Sequence, residues 1–369
     1  MNGLTNFIFL ARQVEPEPGF IVGPIARLFG FIISYLFEVV YFIIGSPHSL
    51  GVTIILMTII FRACTMPLSI KAQKSMMRMR ELKPELDKIQ AKYGNSRDPE
   101  IVKKMNAEKQ ILMQKHDANP LKGCFPLLLQ MPMFIGLNFI MRQAFLYIVR
   151  LRDLYYELAV AVQNIPNYTE WFVPKHLEFL PNALLRNREE AIRLYQQTGM
   201  SIESIRAQVG DIIDPNVPAD VARVLNRFTA DCWLELQNMV PAYYWEPIVT
   251  LNDRREAIET FFGLSMVNNS GWTWPLIILP LLTAVTMFCS QWVSQQKMAD
   301  PNADDKAKMQ QKIMLVAMPL FLGFITVSLP AGVGLFWVTS QVFQLVQDLI
   351  WCKKDGIPLN LPFKRKEAS

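Results

Sequence analysis

Carboxylates are nearly absent from the long apolar runs of this sequence. Runs 51–69, 123–147, 272–293, 313–329 and 331–352 contain a single Asp or Glu, Asp348 near the end of the last. Ion-coupled transporters and channels carry intramembrane carboxylates or paired half-helices in an inverted repeat, and neither pattern occurs here. Cysteine and histidine are equally thin. Cys64, Cys124, Cys232, Cys289 and Cys352 show no CxxC or CxxH spacing, and His48, His116 and His176 are dispersed, so no metal site or disulfide framework is indicated. The runs hold no GxSx, HExxH or Asp pair of an intramembrane hydrolase, and no GxxxxGK[ST] stretch cradles a nucleotide. The expectation is a protein that is not an enzyme, takes no cofactor and has no catalytic or metal-binding residue.

What is abundant is apolar. Hydrophobic residues make up 51% of the 369 residues and charged ones only 19%, a balance of the membrane class. At 1.5 Å rise per residue the five runs are long enough to serve as transmembrane helices, the last two split by Pro330. Pro126, Pro132, Pro275, Pro280 and Pro319 lie within them, where kinks and hence a cavity are expected. Residues 20–44 are also long enough. However, Arg27, Gly30, Ser34, Glu38 and Tyr41 fall on one helical face, which favours an interfacial amphipathic helix over a span. The stretch MNGLTNFIFLARQ has an apolar core shorter than a standard signal peptide's, and no Cys precedes residue 64.

Charge orients the chain. Residues 70–122 carry thirteen Lys and Arg against seven Asp and Glu, whereas residues 144–271 carry eleven against sixteen. Positive loops stay inside, so the first segment is cytoplasmic and the second extracytoplasmic. The expected division is therefore an N-terminal extracytoplasmic segment (1–19), the interfacial helix (20–44), a first transmembrane helix (45–70), a cytoplasmic helical hairpin (71–122) and a second transmembrane helix (123–147). An extracytoplasmic helical insert (148–271), a third transmembrane helix (272–293), a cytoplasmic loop (294–312), the fourth and fifth transmembrane helices (313–352) and a basic cytoplasmic tail (353–369) complete it.

Within the hairpin, Met76, Met79, Leu82, Leu86, Ile89 and Tyr93 recur in a three- and four-residue rhythm. A second helix is expected beyond the turn GNSR, capped by Asp98, opened by Pro99 and striped by Ile101, Met105 and Leu112. Either the stripes pack the two helices together with the lysines near anionic lipid, or Met76, Met77, Met79 and Met105 form a soft surface for varied apolar segments.

Arg62 lies within the run GVTIILMTIIFRACTMPLS, where its charge costs about 2.5–3.5 kcal/mol at the middle of a span. It either pairs with Asp348, snorkels to the interface, or faces water. Gln130 and Gln344 lie at a similar depth, roughly 10 Å from the cytoplasmic ends of their spans. Thr58 shares a face with Arg62 and Gln341 with Gln344. Together they suggest a wet hollow in the inner half of the bilayer, sealed above by apolar residues.

The stretches TIIFRACTMPLSIKAQKSMMRMRELKPELDKIQAKYG, NPLKGCFPLLLQMPMFIGL and LPAGVGLFWVTSQVFQLVQ resemble the YidC/Oxa/Alb family of membrane protein insertases over residues 20–149 and 272–352. The resemblance implies an all-α polytopic membrane protein with a five-helix core and a hydrophilic groove in its inner half, open to cytoplasm and lipid. Arg62 matches the family's groove Arg by its R-x-x-x-x-P-L pattern, and Thr58 the groove position one turn before it. Phe336 and Trp337 match an aromatic pair that contacts the entering segment. Implied partners are nascent membrane proteins and membrane lipid, with the Sec translocon and ribosome as candidates and no DNA. The implied location is the bacterial plasma membrane, multi-pass.

Three departures stand out. The chain lacks the lipid-modified Cys of many Gram-positive relatives and the large periplasmic sandwich of Gram-negative ones, and it carries about 120 residues between the second and third spans. That insert reads as helical: Asn187 with Glu190 resembles a capping box, and Asp220 opens a run with Val221, Val224, Leu225 and Phe228. Trp171, Trp233 and Trp245 suit either a small core or the outer interface.

Overall fold

A computed structural model describes residues 22–94, 98–116, 118, 120–168, 216–228, 230–298, 305–354 and 356. Asn187, Glu190 and Trp171 lie outside the described residues. The chain is mostly helical and divides into two compact units. The first comprises Met1–Val14, Phe37–Leu50 and Gln143–Phe262, and the second Glu15–Leu36, Gly51–Arg142 and Gly263–Ser369.

Helix α1 spans Val22–Ile44 and α2 spans Ser49–Glu81. By length and composition both Gly23–Ile44 and Ser49–Met79 are apolar enough to cross a bilayer, and Ile313–Thr326 is a shorter apolar helix. The first apolar run and the start of the hairpin are thus one continuous α2, which carries Pro67 in its interior. No breaker separates Ser69 from Glu81. The break comes at Leu82, because Pro84 sits in the first turn of α3 (Lys83–Tyr93) and has no N–H to continue the ladder. Gly94 ends α3 at φ 60, a left-handed conformation open to glycine.

Helix α4 (Pro99–Lys115) starts at the expected cap: the Asp98 carboxylate accepts from the Glu100 N–H at 2.9 Å, with Pro99 in the first turn. Helices α3 and α4 pack together. Neither has a buried residue, and Met76, Met77, Met79 and Met105 are all half-buried. Lys92 bonds both oxygens of Glu108 at 3.1 Å across the pair.

The second apolar run becomes α5 (Pro120–Arg142), then a break at Gln143 and a single turn, α6 (Ala144–Tyr147). In the first unit, α7 (Val149–Gln163) buries Leu151, Leu154, Tyr155, Leu158, Ala159 and Val162, steps of three and four that make one apolar face. Against it pack α8 (Pro218–Leu225) and α10 (Ala242–Glu259), with α9 (Ala230–Met239) between them in sequence. Asp220 falls in the first turn of α8, whose start is set by Pro218. Trp233 is buried, edge-on to Phe228, which is the core use of that aromatic.

A charged cluster lies in this core. Arg255 donates to Glu259 Oε2 at 2.8 Å and to the Tyr155 hydroxyl at 3.1 Å, and that hydroxyl donates to Glu259 Oε1 at 2.9 Å. Burial raises the Tyr155 hydroxyl and the Glu259 carboxyl above their ordinary ranges. Burial is also the largest single effect on Arg255 and works against its cation, but Glu259, Tyr155 and Glu256 together outweigh it and hold the guanidinium protonated. Each group is therefore satisfied by the other two, the condition for burying charge cheaply.

Short strands β1 (Thr260–Phe261) and β2 (Leu264–Ser265) follow, joined by Phe262 and Gly263, both at positive φ. In the second unit, α11 (Ile278–Met298) packs against α12 (Asp305–Thr326) and α13 (Ala331–Lys354). Pro330 separates the last two helices, and the segment before α11 is laced to that turn: Ser270 N donates to Leu329 O, Ala331 N to Asn268 O and Gly332 N to Met266 O, each at 2.8 Å. Gly332 allows this approach. A Cβ there would lie 2.7 Å from Met141 Sδ and 2.9 Å from Met266 O.

Candidate functional site

The side chains of interest lie on α2, α5 and α13 of the second unit. Thr58, fully buried, turns its hydroxyl back to Ile54 O at 2.6 Å, which satisfies the hydroxyl without a partner helix. One turn on, Arg62 is half-buried and donates from Nη2 to Gln130 Oε1 on α5 at 3.1 Å. Among the described residues Arg62 forms no ion pair, and Asp348 is engaged elsewhere. The amide oxygen fixes the direction of the guanidinium and leaves its positive charge uncompensated.

Asp348 is fully buried on α13. Its Oδ1 accepts from Gln344 Nε2 at 3.0 Å and from Gln73 Nε2 at 3.4 Å, and its Oδ2 accepts from the Ser294 hydroxyl. Three helices, α2, α11 and α13, thus meet at one carboxylate. Gln344 belongs to this node, while Arg62 and Gln130 form a separate pair. Gln341 is half-buried one turn earlier. The Gln344 contact has a sequence signal, since the two residues are four apart on one helix. Gln73 and Ser294 have none.

Phe336 is fully buried and Trp337 is 9% exposed. Trp337 stacks flat on Phe134 of α5, with centroids 5.1 Å apart and an interplanar angle of 2°. Phe134 is the aromatic that sequence reasoning passed over, because nothing in an apolar run marks one Phe as the partner of a Trp two hundred residues on. No group of three or more His, Cys, Asp or Glu that could hold a metal exists among the described residues.

Comparison with known proteins bears on the same helices. The 60Kd inner membrane protein family matches residues 41–180 and 236–356. A membrane protein insertase YidC of Anaeromyxobacter dehalogenans is 40% identical over 115 residues, 31% of this chain and 20% of that protein. The membrane protein insertase MisCA of Bacillus subtilis is 46% identical over 86 residues, 23% of this chain and 33% of that protein. The membrane protein insertase YidC 1 of Bacillus cereus is 25% identical over 324 residues, 87% of this chain and 79% of that protein. The chain thus spans about a fifth of the Anaeromyxobacter relative and most of the Bacillus cereus one. Because the family match covers most of the chain, including α2, α5 and α13, the protein belongs to the 60Kd inner membrane protein family.

Proposed function

We propose that this chain is a membrane protein insertase and chaperone of the bacterial plasma membrane, which receives nascent membrane proteins and releases them into lipid, alone or beside the Sec translocon. The observation that carries this reading is the Arg62–Gln130 pair: a cation inside an apolar helix, held by a neutral acceptor. Relatives over most of the chain are named membrane protein insertases, which supports it.

In this reading the five runs 51–69, 123–147, 272–293, 313–329 and 331–352 cross the bilayer and α1 lies at its outer face. Thr58, Arg62, Gln130, Gln341 and Gln344 belong to a hydrophilic groove in the inner half. The groove shortens the distance that a client's polar tail crosses unsolvated. Arg62 holds a client carboxylate transiently, at a local dielectric low enough for the attraction to exceed its value in water. The client's apolar segment then leaves along α2, α5 and α13, driven by burial at about 25 cal/mol per Å². Since Phe336 and Trp337 are buried, their contact with the client requires α5 and α13 to part at the Phe134–Trp337 stack. The half-exposed methionines of the cytoplasmic hairpin meet the client first, as soft surfaces meet varied partners.

Reconstitution into liposomes tests the class. The purified protein should insert a small membrane protein, read by protease protection of its translocated tail, with no release of a trapped solute. Solute flux without insertion would return the chain to the transporters and channels.

A further inference from the structure

The first unit contains a cavity of about 180 Å³ beside the last turn of α1, room for several waters at roughly 30 Å³ each. Arg150, Asp153 and Glu157 face it from α7 at steps of three and four residues, and Arg254 faces it from α10. Such a stripe ordinarily lies solvated on an outer helix face. Here the four side chains are exposed as well, but they ring a floor made by Leu154 and Ile258, both buried.

The bonding capacity of these charges is largely unspent. Arg150 donates Nε to Glu38 at 3.0 Å and lays its guanidinium 4.1 Å from the centre of the Tyr41 ring. Its terminal nitrogens donate to no described residue. Arg254 approaches Glu157 only to 3.9 Å, beyond hydrogen-bond length. Asp153 accepts from Arg152 on Oδ1 alone. Two guanidinium forks and two carboxylates therefore converge on one space with charges in balance. A lone anion would meet the carboxylates and a lone cation the guanidiniums, whereas a ligand bearing both charges avoids each repulsion.

We propose that this cavity binds the headgroup of a phospholipid carrying both a phosphate and a primary ammonium, the phosphoethanolamine class. The phosphate sits between Arg150 and Arg254, whose planar forks match its oxygens. The ammonium donates to Asp153 and Glu157. A choline headgroup has no N–H to give these carboxylates, and a glycerol headgroup has no cation. The source is a lipid because Phe42 and Ile43, 91% and 72% exposed, follow Tyr41 directly and offer apolar surface for acyl chains beside the rim.

Full-length protein extracted from vesicles of equal phosphatidylethanolamine, phosphatidylcholine and phosphatidylglycerol content should retain the first about fivefold over the others, read by mass spectrometry. Arg150→Gln with Arg254→Gln, and separately Asp153→Asn with Glu157→Gln, should each remove the preference. None of the four side chains bonds to the Tyr155–Arg255–Glu259 cluster, so protease resistance of the first unit should persist in the variants and verifies that they fold. Soluble glycerophosphoethanolamine should compete and inorganic phosphate should not. Equal retention of the three lipids, unchanged preference in both folded double variants, competition by phosphate alone, or a protein rather than lipid cross-linked from position 254 would overturn the assignment.

Discussion

Arg62 Nη2 and Gln130 Oε1 meet at 3.1 Å across 68 residues of sequence. The bond joins the only charge in the run 51–69 to a neutral acceptor on α5, so α2 and α5 are tied without the cation being neutralised. A carboxylate in place of Gln130 would tie the helices more strongly and cancel that charge.

Charge and orientation are therefore separable by mutation. Arg62→Ala should reduce insertion of clients with acidic translocated tails about tenfold or more, the effect of losing an interaction of about 1.5–3 kcal/mol, while Arg62→Lys retains much of the activity. Gln130→Ala keeps the cation and loses only its orientation, so its loss should be smaller. An insertion assay in a strain depleted of the native protein reads all three. Equal activity of Arg62→Ala and the parent would remove the electrostatic step.

The node at Asp348 predicts a different phenotype. Asp348→Ala leaves the Gln73, Gln344 and Ser294 donors without their acceptor, at about 1–3 kcal/mol for each buried group left unsatisfied. Cys352, one turn further along α13 and buried, reports the loosening. Its labelling by a maleimide should rise several-fold in Asp348→Ala and less in Asp348→Asn. Unchanged protection of Cys352 in the Ala variant would show that the node does not hold the helix end.

Acid should loosen the hairpin. The hydrogen bond from Lys92 holds the Glu108 carboxyl below its ordinary value, and the same bond to Glu108 raises the Lys92 ammonium. A lowered carboxyl stabilises above its unfolded value and loses that contribution as pH falls through the folded one. A raised ammonium keeps its share until pH rises through its folded value. Protection of the α3 and α4 amides against hydrogen exchange, taken relative to the intrinsic exchange rate at each pH, should fall in acid, below the ordinary Glu range, and Glu108→Gln should abolish that dependence. Both groups are exposed, so the effect is small and screened by salt.

Much of this is readable before folding. Apolar periodicity marks the helices, Asp98 and Pro99 mark the start of α4, and the common depth of Arg62 and Gln130 anticipates their bond. The continuation of α2 to Glu81 was hidden because a change from apolar to basic composition looks like a boundary, although the backbone breaks only where Pro84 withholds its N–H. Gln344 reads as part of the hollow beside Arg62, and the structure adds its bond to Asp348. Its four-residue spacing from Asp348 was visible, but the burial that makes the pair strong was not. Arg255 and Glu259 have the same limitation: at that spacing they resemble a solvated surface pair, and only the packing of α7 against α10 encloses them with Tyr155. Contacts such as Gln73 with Asp348 or Phe134 with Trp337 are tertiary, and no local pattern encodes them.

The central claim is that a client passes Arg62 on its way into lipid. A photoreactive residue at position 62, challenged with ribosome-stalled chains of increasing length, tests it most directly. The account predicts adducts that appear once the client's first apolar segment has left the ribosome and vanish when that segment is fully inserted. Stalled clients of every length that insert without ever cross-linking to position 62, while positions on the lipid-facing side of α2 do react, would contradict it.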